Sequence, residues 1–190
     1  MTHEDVVEAA QRIAGLVERT PLIESEIAGT RAWLKCECLQ TGGAFKLRGA
    51  TNRLLQLSAE ERERGVVAFS SGNHARGVAI AARRLGMRAV IVMPSDAPQV
   101  KVDGTRGEGA EIVFYDRRNE SREDIAARIS QETGATVVPS FDDPATLRPL
   151  ELSIGRRPIV VLGLPQVPRL VDVDHCPTTV GIAPQLGDDV

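Results

Sequence analysis

Between Gly65 and Ser140 the hydrophobic period switches back and forth, and this narrows the possible folds more than any other feature of the chain. Val66 to Ser70 (VVAFS), Arg88 to Met93 (RAVIVM), Glu111 to Tyr115 (EIVFY) and Ala135 to Pro139 (ATVVP) are short, apolar, β-branched runs. Between them the spacing predicts helices over Asn73–Leu85, Pro98–Gly109 and Ser121–Thr133, with Gly86 and Gly134 as stops. Strands that alternate with helices pair in parallel through right-handed crossovers, and their continuous apolar character places helices on both sheet faces. An α/β lobe over residues 65–144 is the expectation.

The first 64 residues read differently. Thr2 and Asp5 have capping-box spacing, and Val6, Ala10, Ile13 and Val17 share one helical face that ends at Thr20-Pro21. RAWLKCE (Arg31 to Glu37) alternates as a strand, with Ala32, Leu34 and Cys36 on one side. Past Gly42-Gly43, Leu47, Ala50, Leu54 and Leu57 mark a helix starting near Phe45, and Ser58 with Glu61 caps a short one closed by Gly65. After Pro144 the alternation stops. Residues 149–190 hold six of the eleven prolines, and only PIVVLGL has the character of a strand.

Charge and composition limit the function classes. A net charge of −3 gives no electrostatic footprint for nucleic acid or an anionic membrane, and 3% aromatic residues offer no base-stacking platform. No apolar run approaches the roughly 20 residues of a membrane helix. The amphipathic, acidic start is unlike a secretory signal, so a cytoplasmic protein is expected. Cys36, Cys38 and Cys176 lack CxxC spacing; the first two read as packing residues, and no zinc site or disulfide framework is indicated. Asp172, Asp174, His175 and Cys176 are metal-ligand types in a tail without a supporting framework, so no metal is expected there.

Two stretches carry chemistry. TGGAFKLRGATN (Thr41 to Asn52) contains Lys46, one of only three lysines beside twenty arginines. An amine can be deprotonated and attack a carbonyl, whereas a guanidinium cannot. The alternative for Lys46 is a solvated cation at a helix end. Burial and a cationic neighbour such as Arg48 would activate the amine. FSSGNHARG (Phe69 to Gly77) joins a strand to a helix at a carboxyl end of the expected sheet, where ligands of such folds bind. Serine hydroxyls and first-turn N–H groups there suit an anion, carboxylate or phosphate; the plainer alternative is a capped turn.

Together with MPSDAPQVKVDGTRGEGAEIVFYD, these stretches resemble, in order and spacing, pyridoxal-phosphate enzymes of fold type II, most closely the threonine/serine dehydratases (threonine ammonia-lyases) and serine racemases. The resemblance spans about Asp5 to Pro144. It implies a tryptophan synthase β-like fold, with residues 1–64 as the start of a large cofactor domain, 65–144 as the small α/β domain and 145–190 as an atypical tail. It implies pyridoxal 5′-phosphate held by Phe45, Lys46 and Asn73, with Lys46 as the Schiff-base lysine, Phe45 beside the pyridine ring and Asn73 on the ring hydroxyl. Ser70, Ser71, Gly72, Asn73 and His74 would wrap the substrate carboxylate. Ser71 would be the second base of a racemase. Ala44 and Arg76 stand where many relatives carry serine and glutamine.

The implied reaction is dehydration and deamination of L-threonine or L-serine to a 2-oxo acid and ammonia. Racemisation of an amino acid at the same site is an alternative, and an inactive fragment of such an enzyme is another. A nucleotide-binding module is disfavoured because GxGxxG and P-loop patterns are absent. Family members run longer and assemble as homo-oligomers; their glycine-rich phosphate loop has no counterpart after Pro144. The joint loss of resemblance and periodicity near Ala145 to Pro149 suggests out-of-frame or truncated sequence, which translation of the encoding DNA in the other frames would test.

Overall fold

The computed structural model describes residues 3–27, 30–140, 159–161 and 169–171. Helix α1 (His3–Arg12) buries Val6 and Ala9, with Ile13 just beyond its end. Of the expected face, Val6 and Ile13 are buried and Val17 packs half-buried against the core, while Ala9 is buried in place of Ala10 and the helix itself stops at Arg12. Strands β1 (Leu22–Ile27) and β2 (Thr30–Lys35) pair antiparallel from Leu22↔Lys35 to Ile27↔Thr30. A 3₁₀ turn (Glu37–Leu39) leads to α2 (Lys46–Leu55), whose expected inner residues Leu47, Ala50 and Leu54 are buried, as is Leu57 beyond it. Helix α3 (Ala59–Arg64) opens on the expected box: Glu61 N–H donates to Ser58 Oγ, and Ser58 N–H donates to Glu61 Oε2.

From Val66 the alternation becomes β3 (Val66–Phe69), α4 (Asn73–Arg84), β4 (Ala89–Pro94), α5 (Gln99–Arg106), β5 (Glu111–Tyr115), α6 (Arg122–Thr133) and β6 (Thr136–Val137). The four strands form one parallel sheet in the order β5-β4-β3-β6. Successive strand residues face opposite sides. Val66, Ala68, Ile91 and Met93 join a core with Val78 and Ile80 of α4 and Val102 of α5. Val67, Val90 and Val92 join the other with Ile125 and Ala126 of α6. Helices thus cover both faces, as expected for a sheet of continuous apolar strands.

Two strands come from the proline-rich tail. β7 (Ile159–Val161) lies parallel to β2 from Trp33↔Ile159, and β8 (Arg169–Val171) runs antiparallel to β7. The first was expected from PIVVLGL; the second was not. Thr2, Asp172, Asp174, His175 and Cys176 lie outside the described residues. Among the described residues no helix is long and apolar enough to cross a membrane, and no group of three metal-ligating side chains occurs.

Candidate active site

Helices α2 and α4 bring the two chemical stretches together. Gly77 makes the approach possible: a Cβ there would lie 3.1 Å from the Lys46 carbonyl carbon and the Leu47 nitrogen. Gly42, at φ +82°, turns the chain under α4, where a Cβ would meet Ile80 Cδ1 at 2.7 Å. The turn is fastened by Gln40, which accepts from the Glu18 amide at 3.0 Å and donates to the Glu18 carbonyl at 2.9 Å. Gly43 N–H closes it on the Gln40 carbonyl at 2.7 Å. Lys46 then falls on the first residue of α2, after the buried Ala44.

The Lys46 ammonium donates to the Ser140 carbonyl at 3.1 Å and lies 5.3 Å from the centre of the Phe45 ring. The sequence expectation that Arg48 acts as its cationic neighbour is corrected. Arg48 is 5% exposed and forms a bidentate pair with Glu37, Nε to Oε2 at 2.9 Å and a terminal nitrogen to Oε1 at 2.7 Å. The same nitrogen donates to the Glu18 carbonyl at 2.9 Å, and Thr20 donates to Glu37 at 2.5 Å. Two residues along a helix is more than half a turn, so Arg48 faces away from Lys46. Lys35 joins the Arg48 cluster through the Thr20 carbonyl at 2.7 Å, and burial pushes its amine below the usual lysine range.

The second stretch sits at the carboxyl end of β3. Ser70 continues the ladder with its N–H on the Val92 carbonyl, and its hydroxyl accepts from Gly72 N–H at 3.2 Å. Gly72 is the N-cap of α4, and no side chain caps the helix. A Cβ on Gly72 would meet nothing within 4 Å, so space lies open over this helix start. Ser71 is half-buried and Asn73 exposed at its rim. Arg76, exposed, reaches Glu108 at 3.7 Å and stands clear of the loop.

The His74 imidazole lies beneath the loop. It is 3% exposed, with Nε2 at 3.2 Å from the Val138 carbonyl. Nδ1 is buried and finds no partner among the described residues. Burial pulls its pKa down to about 4, with the Lys46 charge acting the same way and the Val138 carbonyl opposing. His74 offers the loop's open side its backbone N–H. The bonds from Lys46 and His74 to the segment 138–140 were not read from sequence; they span 94 and 64 residues, and no local pattern signals them.

These groups suit a ligand that combines a reactive carbonyl, an aromatic ring and an anionic group. An amine stands next to an aromatic side chain, and an uncapped helix start faces open space. The comparisons agree. Residues 13–158 match the family described as pyridoxal-phosphate dependent enzyme. L-threo-3-hydroxyaspartate ammonia-lyase of Pseudomonas sp is 49% identical over 77% of this chain and 47% of its own length. L-threonine ammonia-lyase of Thermotoga maritima is 45% identical over 76% of this chain and 37% of its own length. The structure of maize serine racemase superposes with a TM-score of 0.73 at 41% identity, covering 77% of this chain and 46% of that one. The chain belongs to the pyridoxal-phosphate-dependent enzyme family, with the α/β architecture of its fold-type II members. It spans less than half the length of these relatives.

Proposed function

We propose that this chain carries the lysine and substrate loop of a pyridoxal-phosphate-dependent ammonia-lyase that converts L-threonine or L-serine to a 2-oxo acid and ammonia. The observation that carries this reading is the placement of Lys46, by the Gly77 contact, against the uncapped start of α4. Pyridoxal phosphate, when bound, draws electrons from the substrate Cα. Lys46, Phe45 and Asn73 would hold it. The Ser70 and Ser71 hydroxyls and the first N–H groups of α4 receive the substrate carboxylate, where the helix dipole favours negative charge. Lys46 Nζ takes the Cα proton: an N–H bond forms as the Cα–H bond breaks, and the resulting ammonium donates to the Ser140 carbonyl. The half-buried Ser71 hydroxyl supports a second reading, racemisation, in which it returns a proton to Cα.

The test is trapping. Purified chain is incubated with pyridoxal phosphate, reduced with borohydride and mapped by mass spectrometry. A single adduct on Lys46, lost in Lys46→Ala, together with release of 2-oxo acid from L-threonine or L-serine, is the expected result. Adducts scattered over Lys35 and Lys101 would overturn the assignment of Lys46. Conversion of L-serine to D-serine without 2-oxo acid would select racemisation.

A further inference from the structure

One short segment ties both chemical stretches to the sheet. Val138 extends the β6 ladder, its N–H on the Val67 carbonyl at 2.8 Å. Its own carbonyl meets His74 Nε2 at 3.2 Å, and the Ser140 carbonyl receives Lys46 Nζ at 3.1 Å. Pro139 stands between them, holding Val138 extended and fixing its own φ, which removes one of the torsions that separate the two carbonyls. A carbonyl only accepts, so His74 Nε2 carries the ring proton, and the neutral ring leaves Nδ1 bare. Among the described residues that buried nitrogen has no partner, a cost that an apolar side chain at this place would avoid.

We propose that His74 is a positioning residue for Lys46: by binding the Val138 carbonyl it sets the Ser140 carbonyl where it receives the Lys46 ammonium. The inference rests on the reading of Lys46 as the reactive amine. His74 therefore acts through the chain, on the direction of the amine, and not on substrate. Its side chain serves the lysine while its backbone N–H belongs to the anion site.

Reductive methylation of the full chain with formaldehyde and cyanoborohydride, read peptide by peptide, tests this without cofactor. The three lysines give internal references: Lys101 is exposed, and Lys35 is bonded to a carbonyl elsewhere. Lys46 is expected to react more slowly than Lys101. His74→Asn, which cannot donate from the Nε2 position, raises the Lys46 rate relative to Lys101 by roughly fivefold, the factor an ordinary hydrogen bond represents. His74→Gln, which can donate from there, restores the wild-type ratio, and Lys35 is unmoved in both. Equal Lys46 and Lys101 rates in wild type, or a folded His74→Asn protein with the wild-type ratio, would overturn the proposal. Should His74→Asn fail to fold, the ¹⁵N spectrum of wild-type His74 decides: the proton on Nε2 supports the proposal and the proton on Nδ1 overturns it. Failure of cofactor trapping with these results intact would refute the functional reading alone.

Discussion

The stretch before residue 65 and the stretch after it are held together by different physics. Every residue of β4 is buried, and β3 with its neighbours packs between two apolar layers. Residues 22–26 of β1, in contrast, contain no buried residue. Six of the eight buried polar residues among those described (Thr20, Glu37, Gln40, Arg48, Thr51 and Asn52) lie in the first stretch, so its interior adds polar pairing, centred on Arg48 and Glu37, to the apolar contacts of α1 and α2. In the parallel sheet β3, β4 and β5 are joined by crossovers between neighbours in sequence, and only β6 returns from the far edge to pair with β3. The first sheet reaches from Trp33 to Ile159 for its next strand. Apolar burial tolerates local change, whereas a buried ion pair fails when one member is removed. Lys46, at the start of α2, stands where the two stretches meet.

The sharpest way to separate them is Glu37→Ala. It leaves the Arg48 guanidinium buried without its carboxylate, and the expected loss is about 3–5 kcal/mol of stability by denaturant unfolding. Hydrogen exchange should show residues 66–93 still protected while α2 and β2 open. Loss of protection in both stretches together would mean that they are one cooperative unit and would break the comparison.

Acid should act next, through His74. Its folded pKa of about 4 lies below the ordinary value of 6.5, so as pH falls the unfolded chain takes the proton first. Its contribution is therefore complete above about pH 6.5 and is lost as pH falls toward 4, a change of about 3 kcal/mol, flat below that. Stability curves of wild type and His74→Gln should differ by this slope. Parallel curves would contradict the buried neutral imidazole.

The smallest effect expected is that of Gly77→Ala. The added methyl meets Lys46 and Leu47 backbone at 3.1 Å, so α2 must shift away from α4, at a cost of about 1–3 kcal/mol. Trapping at Lys46 should fall while the sheet, probed by exchange at β4, stays intact. Unchanged trapping would mean that the approach of the two helices does not position the lysine.

Much of this was legible in the chain. Periodicity located the four strands of the parallel sheet, their three helices, the inner face of α2 and the Ser58–Glu61 cap, because those features are set by neighbours within a few residues. Strand β1 was not legible: LIESEI has no clean alternation, and its shape comes from pairing with β2. Arg48 was misjudged as a neighbour of Lys46 because its partner, Glu37, lies eleven residues back across a turn. The sequence by itself determined which residues could do chemistry: a rare lysine after a glycine turn, and a serine-glycine loop opening a helix. Only the tertiary structure decided their company, with His74 turned inward to Val138 and Lys46 aimed at Ser140. Periodicity reports local burial, while bonds across 64 and 94 residues exist only once the sheet has brought their ends together.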